Sequence, residues 1–125
     1  MAKKKIINKN FPPLAGIIVI DLTRVLAGTY STMQLADLGA RVIKIESTGG
    51  DDSRKFGPFY KNFSTYFTSL NRGKESIKLN LKQKKDLSIL MQLIKKADVL
   101  VENFRPGTMK KLGLEKNKLF KINPK

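Results

Sequence analysis

At 125 residues, the chain is long enough for one domain with a hydrophobic core and too short for two comfortable ones. It contains no cysteine and no histidine, which excludes disulfide scaffolds, thiolate or imidazole metal sites and serine–histidine catalysis. We therefore expect no metal site and none of the usual hydrolytic constellations.

The formal net charge of +15 raises the hypothesis of a basic nucleic-acid-binding protein, because clustered lysines displace counterions from phosphates. The lysines are instead dispersed along the chain, and neither an aromatic RNA-binding motif nor a zinc finger accompanies them. Most are predicted to be solvated surface, and we expect no nucleic-acid partner.

The sequence predicts a short disordered tail followed by a folded part. Residues 1–12 are predicted to form a basic, disordered tail, and residues 13–125 to form the folded part. The lysine-rich start lacks the apolar core and cleavage site of a secretory signal, and every apolar run is far shorter than the roughly 20 residues that cross a bilayer. We therefore expect no membrane partner and a cytoplasmic location.

The first half of the folded part has the pattern of a βαβ unit. The β-branched apolar run at residues 14–22 predicts a strand that is buried on both faces. Residues 30–38 have helical spacing and stop before Gly39, and residues 41–45 predict a second strand. The two strands are therefore expected to be parallel, and the crossover between them is right-handed almost without exception.

The second half repeats the alternation after a long loop. Glycine, proline and aspartate predict that residues 46–64 form a surface loop, of the kind that often carries function. The segments after it are predicted, in order, as a short helical or extended return at 66–70, a strand at 76–81, an amphipathic helix at 84–96, a strand at 98–102 and a short helix at 108–112. Residues 114–125 are polar with few apolar anchors, and no element is predicted there.

This order of elements predicts an α/β fold built on a Rossmann-like open parallel sheet of the doubly wound type. Such sheets bind ligands at the carboxyl ends of their strands. The segments expected at those ends carry groups that suit a phosphate or an amide; they are residues 23–28, 46–54, 80–82 and 103–107.

Several motifs in these segments resemble one known family. They are DLTRVLAG at 21–28, LADLGA and VIKIE at 35–46, GDDSR at 50–54, NRGK at 71–74, and ADVLVENFRPG at 97–107. No motif is diagnostic by itself, but their order and spacing together resemble the family III CoA-transferases, also called the CaiB/BaiF family. The resemblance covers residues 13–124 and identifies 13–125 as a partial large, CoA-binding domain.

The resemblance implies an enzyme that moves CoA from an acyl-CoA to a carboxylic acid. It implies no permanently bound cofactor, with CoA or acyl-CoA as substrate, and an interlocked homodimer for the full-length protein or a complementing downstream chain. The catalytic carboxylate of the family, an aspartate, is expected beyond Lys125, so no catalytic residue is assigned here. The loop GDDSR and the segment 79–82 favour members that use dicarboxylates.

The resemblance also implies which residues contact CoA. They are Val25, Leu26 and Ala27 in the first strand-end turn, Leu79, Asn80, Leu81 and Lys82 after the third strand, Asn103, Phe104 and Arg105 after the fourth, and Lys111 near the phosphates. Asn80 stands where many members have aspartate, and its amide can still bond a ribose hydroxyl.

Each charged or polar candidate also has a structural interpretation. Arg24 could form a surface salt bridge with Asp21 or Glu46. Asp51 and Asp52 are expected to be turn formers rather than a catalytic pair, because aspartate beside glycine bonds its own backbone.

The candidates at the later strand ends are open in the same way. Asn103 could cap the turn that follows it as readily as bind a ligand. Lys82 and Lys111 could each contact a phosphate or simply belong to the lysine-rich surface.

Two alternatives to the transferase stand beside the nucleic-acid hypothesis. The first is a non-catalytic module that binds CoA or a nucleotide. The second is an enzyme similar to α-methylacyl-CoA racemase, which belongs to the same family. A fragment of the large domain is also expected to leave an exposed sheet edge and apolar patches, and hence to be poorly soluble by itself.

Overall fold

A computed structural model describes residues 11–125, so the predicted disordered tail lies almost wholly outside the described residues. The main elements are β1 Ile18–Asp21, α1 Ala27–Asp37, β2 Arg41–Glu46, β3 Phe59–Tyr60, β4 Phe63–Ser64, α2 Thr65–Asn71, β5 Lys74–Lys78, α3 Lys84–Ile94, β6 Val99–Val101, α4 Thr108–Lys111 and α5 Lys116–Ile122. A short 3₁₀ turn, Asp52–Lys55, precedes β3. None of the helices in this part of the chain has the length and apolar character that a membrane crossing needs.

The main sheet has four parallel strands in the order β5-β2-β1-β6. The chain reverses direction across the sheet between β1 and β6: α1 carries it from β1 to β2, and α3 carries it from β5 to β6. A doubly wound sheet has its ligand crevice at such a switch point, outside the carboxyl ends of the strands. The predicted α/β class and the predicted four-stranded parallel sheet are confirmed.

The two faces of the sheet carry different chemistry because side chains alternate along each strand. One face buries apolar residues such as Ile20 and Ile45 against α3, α4 and α5. The other face packs Val19 and Val42 against α1, but it becomes polar and charged toward the strand ends. At its carboxyl end, the sheet therefore has an apolar face and a charged face.

Several predicted boundaries are wrong. The first strand begins at Ile18 rather than at residue 14, because residues 12–17 form turns, with Gly16 at a φ of 88°. The third strand is Lys74–Lys78 rather than residues 76–81, since Leu79 makes the last backbone contact with Glu46 and the chain then turns into α3.

Two elements were missed from the sequence. Residues 59–64 of the predicted loop form the β3–β4 hairpin, whose turn residues Lys61 and Asn62 both have positive φ. The polar segment 114–125 contains α5, which packs on α3. Asn123 Nδ2 holds it there by donating to the carbonyl oxygens of Ile94 at 2.8 Å and Ala97 at 2.7 Å.

Candidate functional site

A crevice of about 220 Å³ lies where the carboxyl ends of β1, β2 and β5 meet the segment after β6. Its lining combines apolar side chains with hydroxyl, amide and cationic groups: Leu22, Arg24, Ile45, Glu46, Ser47, Thr48, Leu79, Asn80, Leu81, Lys82, Phe104, Thr108 and Leu112. This is the position at which a doubly wound sheet binds its ligand.

A larger groove of about 540 Å³ runs along β6 and α5. Its lining contains none of the residues predicted to contact a ligand. We regard the smaller crevice as the candidate site, because topology and the polar groups converge there.

The predicted site residues are only partly brought together. Leu79, Asn80, Leu81, Lys82 and Phe104 line the crevice. Within the described residues, the remaining six lie outside its lining: Val25, Leu26, Ala27, Asn103, Arg105 and Lys111. Val25, Leu26 and Ala27 nevertheless follow directly on Arg24, which does line it, so the first turn borders the crevice.

Asn103 is used to join two strand ends. Its Oδ1 accepts from the backbone N–H of Arg24 at 2.9 Å, and its Nδ2 donates to the carbonyl oxygen of Arg24 at 3.0 Å. Asn103 thus fastens the segment after β6 to the segment after β1, which is neither of the two roles considered from the sequence.

Gly28 allows the start of α1 to lie close to Thr23 and Asn103. A Cβ atom at position 28 would lie 2.5 Å from Cγ2 of Thr23 and 3.3 Å from the side chain of Asn103. A side chain here would force the start of α1 away from the strand-end turns, so the absence of one is part of how the site is assembled.

Asn80 and Lys82 form a tight turn at the crevice. Asn80 Oδ1 accepts from the backbone N–H of Lys82 at 3.2 Å, and the N–H of Asn80 donates to Asp86 Oδ2 at 2.7 Å. Asp86 lies in the first turn of α3, where a carboxylate also suits the helix dipole. The turn directs the exposed Lys82 side chain to the mouth of the crevice.

The charged face of the sheet contains a buried ion pair, between Lys44 and Asp51, that was not predicted from the sequence. Lys44 Nζ lies 2.9 Å from Asp51 Oδ2, and both side chains are 1% exposed. The contact is an ion pair without hydrogen-bond alignment, since Asp51 Oδ2 has no aligned donor among the described residues. Lys44 also donates to the carbonyl oxygen of Thr23 at 2.8 Å.

Asp51 does form the turn expected of it. Its Oδ1 accepts from the N–H of Ser53 at 2.9 Å and from the Ser53 hydroxyl at 2.7 Å, and so caps the 3₁₀ turn. Burial raises the pKa of Asp51, but the Ser53 bonds and the Lys44 charge outweigh it, and the pKa is lowered overall. The turn former is thus also half of a buried ion pair.

Glu46 is the second buried carboxylate at these strand ends. Arg54 donates to both of its oxygens, at 2.7 and 2.6 Å, and Ser76 donates at 2.6 Å. Burial acts to raise the pKa of Glu46, yet the bonds from Arg54, Ser76 and the N–H of Asp51 bring it down to about 2. Glu46 is therefore ionised and fully engaged at neutral pH.

The salt bridge considered for Arg24 does not form. Asp21 binds Thr23, Thr32 and Lys74, while Glu46 is occupied by Arg54. Arg24 instead places its guanidinium 5.3 Å from the centre of the Phe104 ring.

Comparisons with known proteins agree on one family. Residues 14–125 match the family model described as CoA-transferase family III. The chain is 55% identical over 114 residues to an acetyl-CoA:oxalate CoA-transferase of Acetobacter aceti, covering 90% of this chain and 29% of that protein. It is 48% identical over 117 residues to a succinyl-CoA:glutarate CoA-transferase of Homo sapiens, covering 92% and 27%.

A solved structure gives the same result for the fold. A CaiB/BaiF family protein from Brucella suis superimposes with a TM-score of 0.83 at 40% identity, covering 89% of this chain and 31% of that one. The chain spans less than a third of the length of each of these relatives. The resemblance drawn from the motifs is confirmed.

Proposed function

Because the chain belongs to CoA-transferase family III, we propose that it is the CoA-binding part of an enzyme that moves CoA from an acyl-CoA to a carboxylic acid. The observation that carries this proposal is the strand-end crevice, in which the family's motif segments after β1, β2, β5 and β6 converge. The substrate is CoA or its thioester, and no resident cofactor is part of the proposal.

The lining of the crevice suits the chemistry of CoA. Apolar side chains such as Leu79, Leu81 and Leu112 offer contact to an adenine or a pantetheine, and the hydroxyl of Thr48 can donate to an oxyanion. Lys82 supplies a point charge for a phosphate. Lys111 lies on the exposed surface of α4 beside this region, and a contact with phosphate there stays a prediction.

The carboxylates beneath the strand ends do not serve as the nucleophile in this proposal. Asp21, Glu46 and Asp51 are each at most 3% exposed, and their oxygens are engaged by lysine, arginine and hydroxyl groups. A carboxylate that attacks a thioester must reach it with a free oxygen. As the family resemblance implies, we propose that the catalytic aspartate lies beyond Lys125.

The acceptor is proposed to be a dicarboxylic acid. By their names, the two relatives described above act on oxalate and glutarate, both of which are dicarboxylates. Activity is proposed to require the rest of the enzyme, supplied by a complementing chain or within an interlocked dimer.

A calorimetric titration of the chain with CoA tests the proposal. We expect saturable binding at one site and a loss of affinity of about tenfold in Lys82→Glu, because the substitution puts a negative charge beside the phosphates of CoA. Lys95→Glu is the matched control: it changes the net charge equally, but position 95 is exposed and follows α3 at the opposite end of the helix from the crevice.

The two variants separate a built site from general attraction to a basic protein. Equal losses in Lys82→Glu and Lys95→Glu, or no binding of CoA to the unaltered chain, would contradict the proposal. Tighter binding of DNA than of CoA, collapsing steeply with salt, would favour the nucleic-acid hypothesis instead.

A further inference from the structure

Within the described residues, Arg24 and Arg105 are the two arginines without a carboxylate partner. Arg41, Arg54 and Arg72 each form an ion pair at 2.7 Å or less with Glu75, Glu46 and Asp37 respectively. Within residues 11–125, no carboxylate lies within 4.0 Å of the Arg24 guanidinium. Arg24 is also the arginine that lines the crevice, with its guanidinium over the ring of Phe104.

The backbone that carries Arg24 is held in a strained shape. Val25 has a φ of 61°, in the left-handed region that a β-branched residue adopts only at a cost. Strain of this kind persists only where surrounding contacts impose it, and it concentrates at functional sites.

The contacts that impose the shape come from two other strands. From β2, Lys44 donates to the carbonyl oxygen of Thr23, and its partner Asp51 accepts from the N–H of Val25 at 3.4 Å. From the segment after β6, Asn103 bonds both the N–H and the carbonyl oxygen of Arg24. Three consecutive residues of the turn are thus fixed from outside it, by Lys44, Asp51 and Asn103.

We propose that Arg24 binds an anionic group of the CoA thioester substrate, and that Lys44, Asp51 and Asn103 are positioning residues that hold it toward the crevice. This inference rests on the proposed function. A guanidinium presents paired N–H groups that match a carboxylate or a phosphate, and stacking on Phe104 restricts its orientation without neutralising it. A buried ion pair and a strained backbone both fix the turn that carries Arg24, which is what a ligand-binding side chain requires.

The anionic group has two possible sources, the phosphates of CoA and a free carboxylate on the acyl group. Arg24→Gln removes the charge, and calorimetry with CoA, acetyl-CoA and succinyl-CoA distinguishes the two. A loss of tenfold or more for all three compounds assigns Arg24 to a phosphate, whereas a loss for succinyl-CoA only assigns it to the acyl carboxylate. Arg41→Gln, which alters an exposed arginine at the other end of β2, is the charge-matched control and should bind all three like the unaltered chain.

A second variant tests the positioning residues through the backbone that they hold. Val25→Gly removes the steric cost of the positive φ and frees the turn, so we expect an unfolding midpoint that is unchanged or higher together with a loss of affinity of about fivefold or more. Asn62→Gly relieves a comparable φ of 66° in the β3–β4 hairpin and should leave affinity unchanged. A turn with a purely structural role would give the same midpoints with no loss of affinity in either variant.

The outcomes separate this inference from the proposed function. If the unaltered chain binds no CoA compound, the proposed function fails and takes this inference with it. If the unaltered chain binds CoA and Arg24→Gln binds all three compounds within twofold of it, the assignment of Arg24 is overturned while the proposed function stands. If Arg24→Gln weakens binding but Val25→Gly does not, the positioning role is overturned.

Discussion

The two ends of strand β2 carry similar ion pairs in opposite surroundings. At the amino end, Arg41 and Glu75 meet at 2.7 Å with side chains 60% and 57% exposed. At the carboxyl end, the Lys44–Asp51 pair is 1% exposed on both sides. Water screens the first pair and is excluded from the second. Loss of one partner should therefore change the free energy of unfolding little at the amino end and strongly at the carboxyl end.

The largest effect is expected at the buried end. Lys44→Met leaves the buried Asp51 carboxylate without its ion-pair partner and should lower the free energy of unfolding by roughly 3–5 kcal/mol. Urea denaturation followed by circular dichroism measures this. The double variant Lys44→Met/Asp51→Asn should lose less than the sum of the single losses. A loss below about 1 kcal/mol for Lys44→Met would mean that the burial of the pair has little energetic weight.

Acid should act on the same end of the strand. The pKa of Glu46 falls from 4.5 to about 2 on folding, so its contribution to stability is complete above pH 4.5 and is lost as the pH falls through about 2. The shift corresponds to about 3 kcal/mol. Urea denaturation at a series of pH values should show this slope, and Glu46→Gln should flatten it. A slope that persists unchanged in Glu46→Gln would assign the acid sensitivity to other carboxylates.

The smallest effect is expected at the exposed end. The pKa of Glu75 is lowered by its hydrogen bond with Arg41, in the same direction as that of Glu46, but the pair is solvated. Arg41→Ala should therefore leave the denaturation midpoint within experimental error of the unaltered chain. A shift comparable to that of Lys44→Met would break the contrast between the two ends.

The sequence predicted the fold well because apolar periodicity reports buried strands directly. The runs that became β1, β2 and β6 are apolar, and their parallel order follows from the helices between them. The edge strand β5 was misplaced because its own residues are mostly exposed and polar, whereas Leu79 and Leu81 beyond it have the apolar character of a strand and in fact line the crevice.

The candidate site was predicted less completely, for a physical reason. Lysine is rarely buried, so Lys44 in the run Val-Ile-Lys-Ile was not distinguished from the many surface lysines, and Asp51 was understood only through its turn. The signal available was a single cation inside a strand with apolar neighbours on both sides. Which of the predicted contact residues bind CoA stays a prediction, since their roles depend on a ligand and not on the fold.

The position of α5 has a consequence for how the sheet can be extended. Both α3 and α5 pack on the same face, and α3 is the helix through which the chain advances from β5 to β6. With right-handed winding, a strand that followed α5 would continue in the same direction and join the outer side of β6 as a parallel neighbour. The groove between β6 and α5 lies along that path.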